Sequence, residues 1–166
     1  MIFVADSIHQ QKPEFMPLAI LGSEVPFPFS AKPSEFIVAG MPHGVTATLH
    51  LLEEWNIPCR LTSTRGYNGC FEGYVTDLAR LWLDALTDEQ RNEVEVFSCG
   101  PHPMLEAVAQ LAKEYDLPCH VSLEEFMACA VGGCAGCVVK VTTDNGDEAM
   151  KRVCVDGPVF DARQVF

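Results

Sequence analysis

Four of the eight cysteines stand at spacings that could do chemistry: Cys129, Cys134 and Cys137 within CAVGGCAGC, and Cys154 within KRVCVDGPVF. The pattern C-x4-C-x2-C, followed at a distance by a fourth cysteine, is that of the thiolate ligands of a plant-type [2Fe-2S] cluster. Four cysteines can also hold a structural zinc ion. Zinc ribbons favour two C-x2-C knuckles, however, and only Cys134 and Cys137 form such a pair here. Disulfides are disfavoured because no secretory segment precedes the cysteines, and a reducing compartment keeps such thiols free.

Certain elements must position these thiols. Three ligands in nine residues require the backbone to wrap tightly round one side of the metal group. Gly132, Gly133 and Gly136 are expected to supply the positive-φ turns of that path, and the small side chains of Ala128, Ala130 and Ala135 let main-chain N–H groups face sulfur. Beyond the loop, Val138, Val139 and Val141 lead to an Asp144-Asn145-Gly146-Asp147 turn, with Val153 and Val155 after it. This predicts a β-hairpin whose returning strand carries Cys154 back to the loop.

The composition bounds the remainder. A chain of 166 residues, 48% hydrophobic, can bury a core in one domain or in a medium and a small one. A formal charge of -12, from 23 acidic and 11 basic residues, argues against nucleic acid and anionic membrane as partners. The start MIFVADSIHQQ lacks the basic and apolar regions of a signal peptide, and no stretch approaches a membrane span. A soluble, cytoplasmic protein is expected. Assembly with further copies of the chain is compatible with the sequence.

Residues 1–30 read as a lead-in in which Pro13, Pro17, Pro26 and Pro28 interrupt any helix, with Leu18–Leu21 strand-like. Strands are expected at Phe36–Ala39, Cys59–Thr62, Val94–Cys99 and around Val121. Helices are expected at Val45–Trp55, Val75–Leu86 and Met104–Tyr115, and on the second of these Leu78, Leu81, Trp82 and Leu86 share a face. This alternation predicts an α/β fold: a small doubly wound parallel sheet over residues 31–122, followed by a cluster-binding β-hairpin domain over 123–166. Ligands of such sheets sit at the carboxyl ends of strands. Gly40 and Gly44, after the first strand, and Cys99, Gly100 and Pro101, after the third, are therefore the candidate cofactor-binding residues. No Ser-His-Asp set, catalytic carboxylate pair or phosphate loop is apparent, so no catalytic residue is assigned.

The segments SLEEFMACAVGGCAGCVVK, KRVCVDGPVFDARQV, GYVTDL and VFSCGPHPMLEAV resemble the electron transfer subunit of bacterial dihydroorotate dehydrogenase, in the ferredoxin-reductase-like flavoprotein group. LGSEVPFPF is weakly similar to the linker before that family's nucleotide domain. The resemblance implies that Cys129, Cys134, Cys137 and Cys154 ligate [2Fe-2S], and that Cys99 lies near a nicotinamide. It also implies electron relay between a flavin or NAD(P)H and the flavin-containing catalytic subunit of a dehydrogenase, in pyrimidine biosynthesis. Two departures stand out. Too few residues precede Phe36 to build the family's FAD-binding barrel, and GMPHGVTA stands where the family has a glycine-triplet loop. Both weaken the case for FAD and NAD(P)H on this chain, so a redox subunit is expected rather than a complete enzyme. The alternatives are a self-contained NAD(P)H-flavin reductase and a non-catalytic module in which the four cysteines bind zinc. Cys59, Cys70 and Cys119 read as small buried hydrophobes, and His43 and His102 as solvated turn residues.

Overall fold

A computed structural model describes residues 2–12, 14–143 and 145–166. Pro13, and Asp144 at the head of the expected turn, lie outside the described residues. The fold is mixed α/β with small parallel and antiparallel sheets. The chain divides into two compact units, Met1–Arg91 and Asn92–Phe166.

The first unit carries α1 (Ile2–Gln11), β1 (Ala19–Gly22), β2 (Lys32–Pro33), β3 (Ala47–Thr48), α2 (His50–Glu54), β4 (Cys59–Thr62), α3 (Val75–Asp84) and α4 (Asp88–Arg91). β1 pairs parallel with β4 from Ala19↔Cys59 to Gly22↔Thr62. The two-residue strands β2 and β3 pair antiparallel. Ala5, Ala47, Leu49, Leu52, Ile57, Cys59 and Leu61 form one buried cluster, with Ile2, Leu21 and Trp55 packed against it. The lead-in is thus structural: α1 brings Ile2 and Ala5 to the core, and β1 supplies a strand. The prolines of this segment do not prevent that helix, because all of them follow Gln11.

Three expectations for this unit are corrected. No strand forms at residues 36–39, where Ile37 is fully exposed. Instead, the guanidinium of buried Arg60 donates from Nη2 to the Phe36 carbonyl at 2.6 Å and from Nη1 to the Cys59 carbonyl at 2.7 Å. A side chain, and not a neighbouring strand, therefore takes the backbone acceptor of this segment. The helix expected from Val45 is only α2, because Ala47 and Thr48 are drawn into the pair with β2. On α3 the buried residues are Leu78 and Leu83, while Leu81 is exposed. The Asp77 carboxylate accepts from the Tyr74 N–H at 2.9 Å and starts that helix.

The second unit carries β5 (Val96–Cys99), α5 (His102–Glu114), β6 (Cys119–Ser122), β7 (Val138–Thr142), β8 (Glu148–Arg152), α6 (Val153–Asp156), β9 (Val159–Asp161) and α7 (Ala162–Val165). β5 pairs parallel with β6, and β6 pairs antiparallel with β9. The strands expected to share one sheet over 31–122 are therefore divided: β4 pairs with β1 from the lead-in, whereas β5 pairs with β6, which is grouped with the carboxy-terminal segment through β9. Leu105, Val108, Leu111 and Ala112 of α5 are buried, as are Cys119, Val121, Phe160 and Ala162. Asp116 ends α5 in the left-handed region at φ 52.

β7 and β8 pair antiparallel from Val138↔Arg152 to Thr142↔Glu148. Gly146, at φ +83, donates to the Thr143 carbonyl at 2.8 Å in the connection between them. Val153 and Val155 are not on the returning strand, which ends at Arg152; residues 153–156 coil into a single helical turn, α6. The physical reason is local. The Asp156 carboxylate accepts from the Arg152 N–H at 2.8 Å, closing that turn in place of another ladder bond. Among the described residues no helix is long and apolar enough to cross a membrane.

Candidate metal centre

The loop between β6 and β7 presents Cys129, Cys134 and Cys137, and α6 presents Cys154. Cys137 is buried, Cys134 is exposed, and the other two lie between these extremes. The loop takes its curvature from unexpected positions. Gly132 adopts φ +77 as anticipated, but the other left-handed residues are Ala130 at φ 54 and Ala135 at φ 55, not Gly133 or Gly136. A non-glycine residue held there costs about 1–3 kcal/mol, and such conformations persist where the surroundings over-determine them. The effect is to turn successive backbone N–H groups to one side, the geometry of an anion-binding nest.

Each of the four sulfurs receives such donors. Cys129 faces the N–H groups of Val131, Cys134 and Gly133. Cys134 accepts from the Gly136 N–H at 3.4 Å, and Cys137 from the Cys154 N–H at 3.5 Å. Cys154 faces the Gly132 N–H. The thiols also pair: Cys129 is hydrogen-bonded to the Cys134 side chain, and Cys137 to the Cys154 side chain. Hydrogen bonds from Val131 and Cys134 lower the Cys129 thiol to about 6. Within the second pair, the Cys154 N–H and thiol hold Cys137 below the ordinary thiol range, and Cys154, hydrogen-bonded to Cys137, is raised.

This donor set fits an iron-sulfur group. Thiolates are the ligating form, and N–H donors aimed at sulfur stabilise an anionic cluster. Two pairs of thiols suit two irons, each taking two cysteines. Among the described residues, no three or more His, Cys, Asp and Glu side chains gather in a group that could hold a metal ion, so the four thiols meet by twos and not round one point. The Val153 N–H donates to the Cys137 carbonyl at 3.0 Å, tying the start of α6 to the end of the loop.

Sequence reasoning missed Arg152 and Asp156. Arg152 donates from Nη1 to the Gly132 carbonyl at 3.1 Å and from Nε to Asp156 Oδ2 at 3.3 Å. Their four-residue spacing on either side of Cys154 is the only signal in the sequence, and it gains meaning once α6 is seen to be helical.

The remaining candidates lie elsewhere. Gly40 (φ +73) and Gly44 (φ +87) lie on a loop that leads into β3 and not into a helix, so the expected strand-to-helix turn is absent there. A Cβ on Gly40 would come within 2.6 Å of the Leu81 carbonyl, so this glycine serves close packing on α3. Cys99, Gly100 and Pro101 do form a strand-to-helix turn, from the end of β5 to α5, with Pro101 in the cap position. A Cβ on Gly100 would meet the Met104 side chain at 2.5 Å. Cys59 and Cys119 are buried, as expected, and desolvation raises both thiols, Cys119 to about 11. His102 packs edge-on against Phe166, with ring centroids 5.1 Å apart.

Comparison with known proteins bears on the same segment. Residues 124–166, which hold all four cysteines, match the family described as the iron-sulfur cluster binding domain of dihydroorotate dehydrogenase B. The electron transfer subunit of dihydroorotate dehydrogenase B (NAD(+)) from Caldanaerobacter subterraneus subsp. tengcongensis is 46% identical over 85 residues, 51% of this chain and 34% of that protein. Its counterpart from Desulforamulus reducens is 38% identical over 95 residues, 57% of this chain and 34% of that protein. The chain thus spans about a third of the length of these curated relatives. A solved structure of an NADH-dependent reduced ferredoxin-NADP oxidoreductase, described in connection with flavin-based electron bifurcation, superposes with a TM-score of 0.51 at 27% identity. The superposition covers 72% of this chain and 39% of that one. Over about half of its length the chain is similar to electron transfer subunits of dihydroorotate dehydrogenase B, and residues 124–166 match that family's iron-sulfur cluster binding domain.

Proposed function

We propose that this chain is the cluster-bearing part of an electron-transfer subunit, and that Cys129, Cys134, Cys137 and Cys154 hold a [2Fe-2S] cluster. One observation carries the reading: the four thiols form two hydrogen-bonded pairs, each supplied with backbone N–H donors, inside the segment that matches an iron-sulfur binding domain. The cluster would supply one-electron transfer, and the redox chemistry is its own. The protein's contribution is to hold four thiolates, to aim N–H groups at them and to keep water from one side. Cys137 is buried, as are Val141 and Val153 on the segments that follow it, whereas Cys134 is exposed.

On this reading the electrons pass between a flavin or NAD(P)H and a flavin-containing dehydrogenase subunit, such as dihydroorotate dehydrogenase in pyrimidine biosynthesis. Exposed Phe126, Met127 and Val131 near the loop suit a protein surface in that partner. Residues 123–166 act as the cluster domain. Residues 31–122 act as a reduced nucleotide-binding-like domain, in which the run β5–α5–β6, with its strands paired in parallel, keeps the strand-and-helix order of a doubly wound design. Cys99, Gly100 and Pro101 would lie nearest a nicotinamide. We assign no FAD to this chain and no pyrophosphate to Gly40 and Gly44.

Anaerobic reconstitution with iron and sulfide tests the reading. The expected product is coloured, contains two irons and two acid-labile sulfides per chain, and gives an EPR signal on reduction. A colourless protein that takes up zinc and no sulfide would overturn it.

A further inference from the structure

The peptide joining Gly132 and Gly133 is engaged on both sides. Its carbonyl accepts from Arg152 Nη1 at 3.1 Å, and its N–H faces the sulfur of Cys129. A trans peptide is planar, with C=O and N–H pointing opposite ways, so a group that fixes the oxygen also aims the hydrogen. A cationic donor on the carbonyl further polarises the N–H, as in any hydrogen-bonded chain.

Arg152 is itself held. Oδ2 of Asp156 accepts from Nε at 3.3 Å and from the Arg152 main-chain N–H at 2.8 Å, so one carboxylate sets both the backbone and the head group. The loop has no slack at the point of contact. A Cβ on Gly132 would lie 2.6 Å from Val155 Cγ2 and 3.2 Å from Arg152 Nη1. The Gly132 N–H, from the preceding peptide, faces Cys154. One residue of the loop thus connects the guanidinium to a sulfur of each thiol pair.

We propose that Arg152, oriented by Asp156, is a positioning residue for the cluster: through the Gly132–Gly133 peptide it fixes the N–H delivered to Cys129 and raises the electron affinity of the group the cysteines hold. Reduction adds negative charge at the sulfurs, and donors and cations directed there favour the reduced form. The inference rests on the cluster reading above and goes beyond it in naming a residue that is not a ligand.

The test uses the full chain as wild type, Arg152→Gln and Arg152→Lys, each reconstituted anaerobically, assayed for iron and sulfide and titrated for reduction potential by EPR. In parallel, NMR follows amide hydrogen exchange of the three proteins before loading. Arg152→Gln is expected to load, to show a more negative potential than wild type, and to exchange its Gly133 amide about tenfold faster or more, with Val141 on β7 unchanged. Arg152→Lys recovers part of the potential, because it keeps the cation but loses the fork geometry. A loaded Arg152→Gln protein with the wild-type potential overturns the inference and leaves the cluster reading standing. If that variant does not load, exchange decides, and an unchanged Gly133 amide overturns the inference. A wild-type chain that takes up no iron and sulfide overturns the cluster reading, and this inference with it.

Discussion

The backbone N–H of Cys154 donates to Sγ of Cys137 at 3.5 Å, across 17 positions of sequence. This contact joins the two segments that carry the candidate ligands. Its consequence is chemical as well as structural, because Cys137 is favoured as the thiolate while its partner Cys154 keeps its proton to higher pH. The two thiols of the pair are thus unequal, one favoured as thiolate and the other as thiol.

Ligand substitutions should separate the four site cysteines from the rest. Replacing Cys137 with serine is expected to reduce iron and sulfide retained after desalting by roughly tenfold or more, since serine is a poor ligand for iron in place of thiolate. Cys70→Ser should retain both at the wild-type level, because Cys70 packs beside the core of the first unit. Iron and acid-labile sulfide assays read the outcome, and equal retention in both variants would contradict the assignment.

The unloaded protein should show an unequal set of thiols. With Cys129 at about 6, against an ordinary value of 9.0, it is about nine-tenths thiolate at pH 7, where an ordinary thiol is about one-hundredth. Because the folded value is the lower one, the associated stabilisation of the loop is present in full above 9.0, declines as pH falls through this interval and is gone below about 6. Iodoacetamide labelling read by mass spectrometry should modify Cys129 roughly tenfold faster than Cys154 at pH 7, with the Cys129 rate falling away below about pH 6.

Two glycine replacements test whether space or backbone conformation governs the first unit. Gly40→Ala would place a methyl 2.6 Å from the Leu81 carbonyl at φ +73, whereas Gly66→Ala, at φ +68, meets nothing within 4 Å. Urea unfolding should show Gly66→Ala destabilised by about 1 kcal/mol and Gly40→Ala by more than about 2 kcal/mol. Equal losses would mean that α3 yields freely to the added methyl.

Arg60→Met should destabilise the same unit by about 1–3 kcal/mol in urea unfolding. The side chain is buried and holds the carbonyls of Phe36 and Cys59. Its loss leaves both acceptors in search of water. Amide exchange around residues 34–38 should accelerate, whereas exchange in α5 of the second unit should not. A wild-type unfolding curve would show that this guanidinium has no structural role.

The second unit was largely legible before its structure. Apolar spacing in Met104–Tyr115 marked a helix, the run ending at Cys99 marked a strand, and both lie within a residue or two of α5 and β5. The first unit was less so. Its opening helix carries few buried residues, and its segment at 36–39 has the composition of a strand without a strand neighbour to pair with. Arg60, distant in sequence, decides that outcome, and periodicity cannot show it.

For the metal centre, cysteine spacing by itself singled out four candidate ligands and narrowed the groups they suit to an iron-sulfur cluster or zinc, because coordination chemistry restricts which residue types can serve and how close together they must be. Tertiary structure decided the rest: that Ala130 and Ala135 take the strained turns, that the thiols form two pairs, and that Arg152 reaches the Gly132 carbonyl. Those features depend on a backbone path closed by β8 and α6. A local pattern can specify which atoms bind, but only a closed chain fixes the direction of the N–H groups around them.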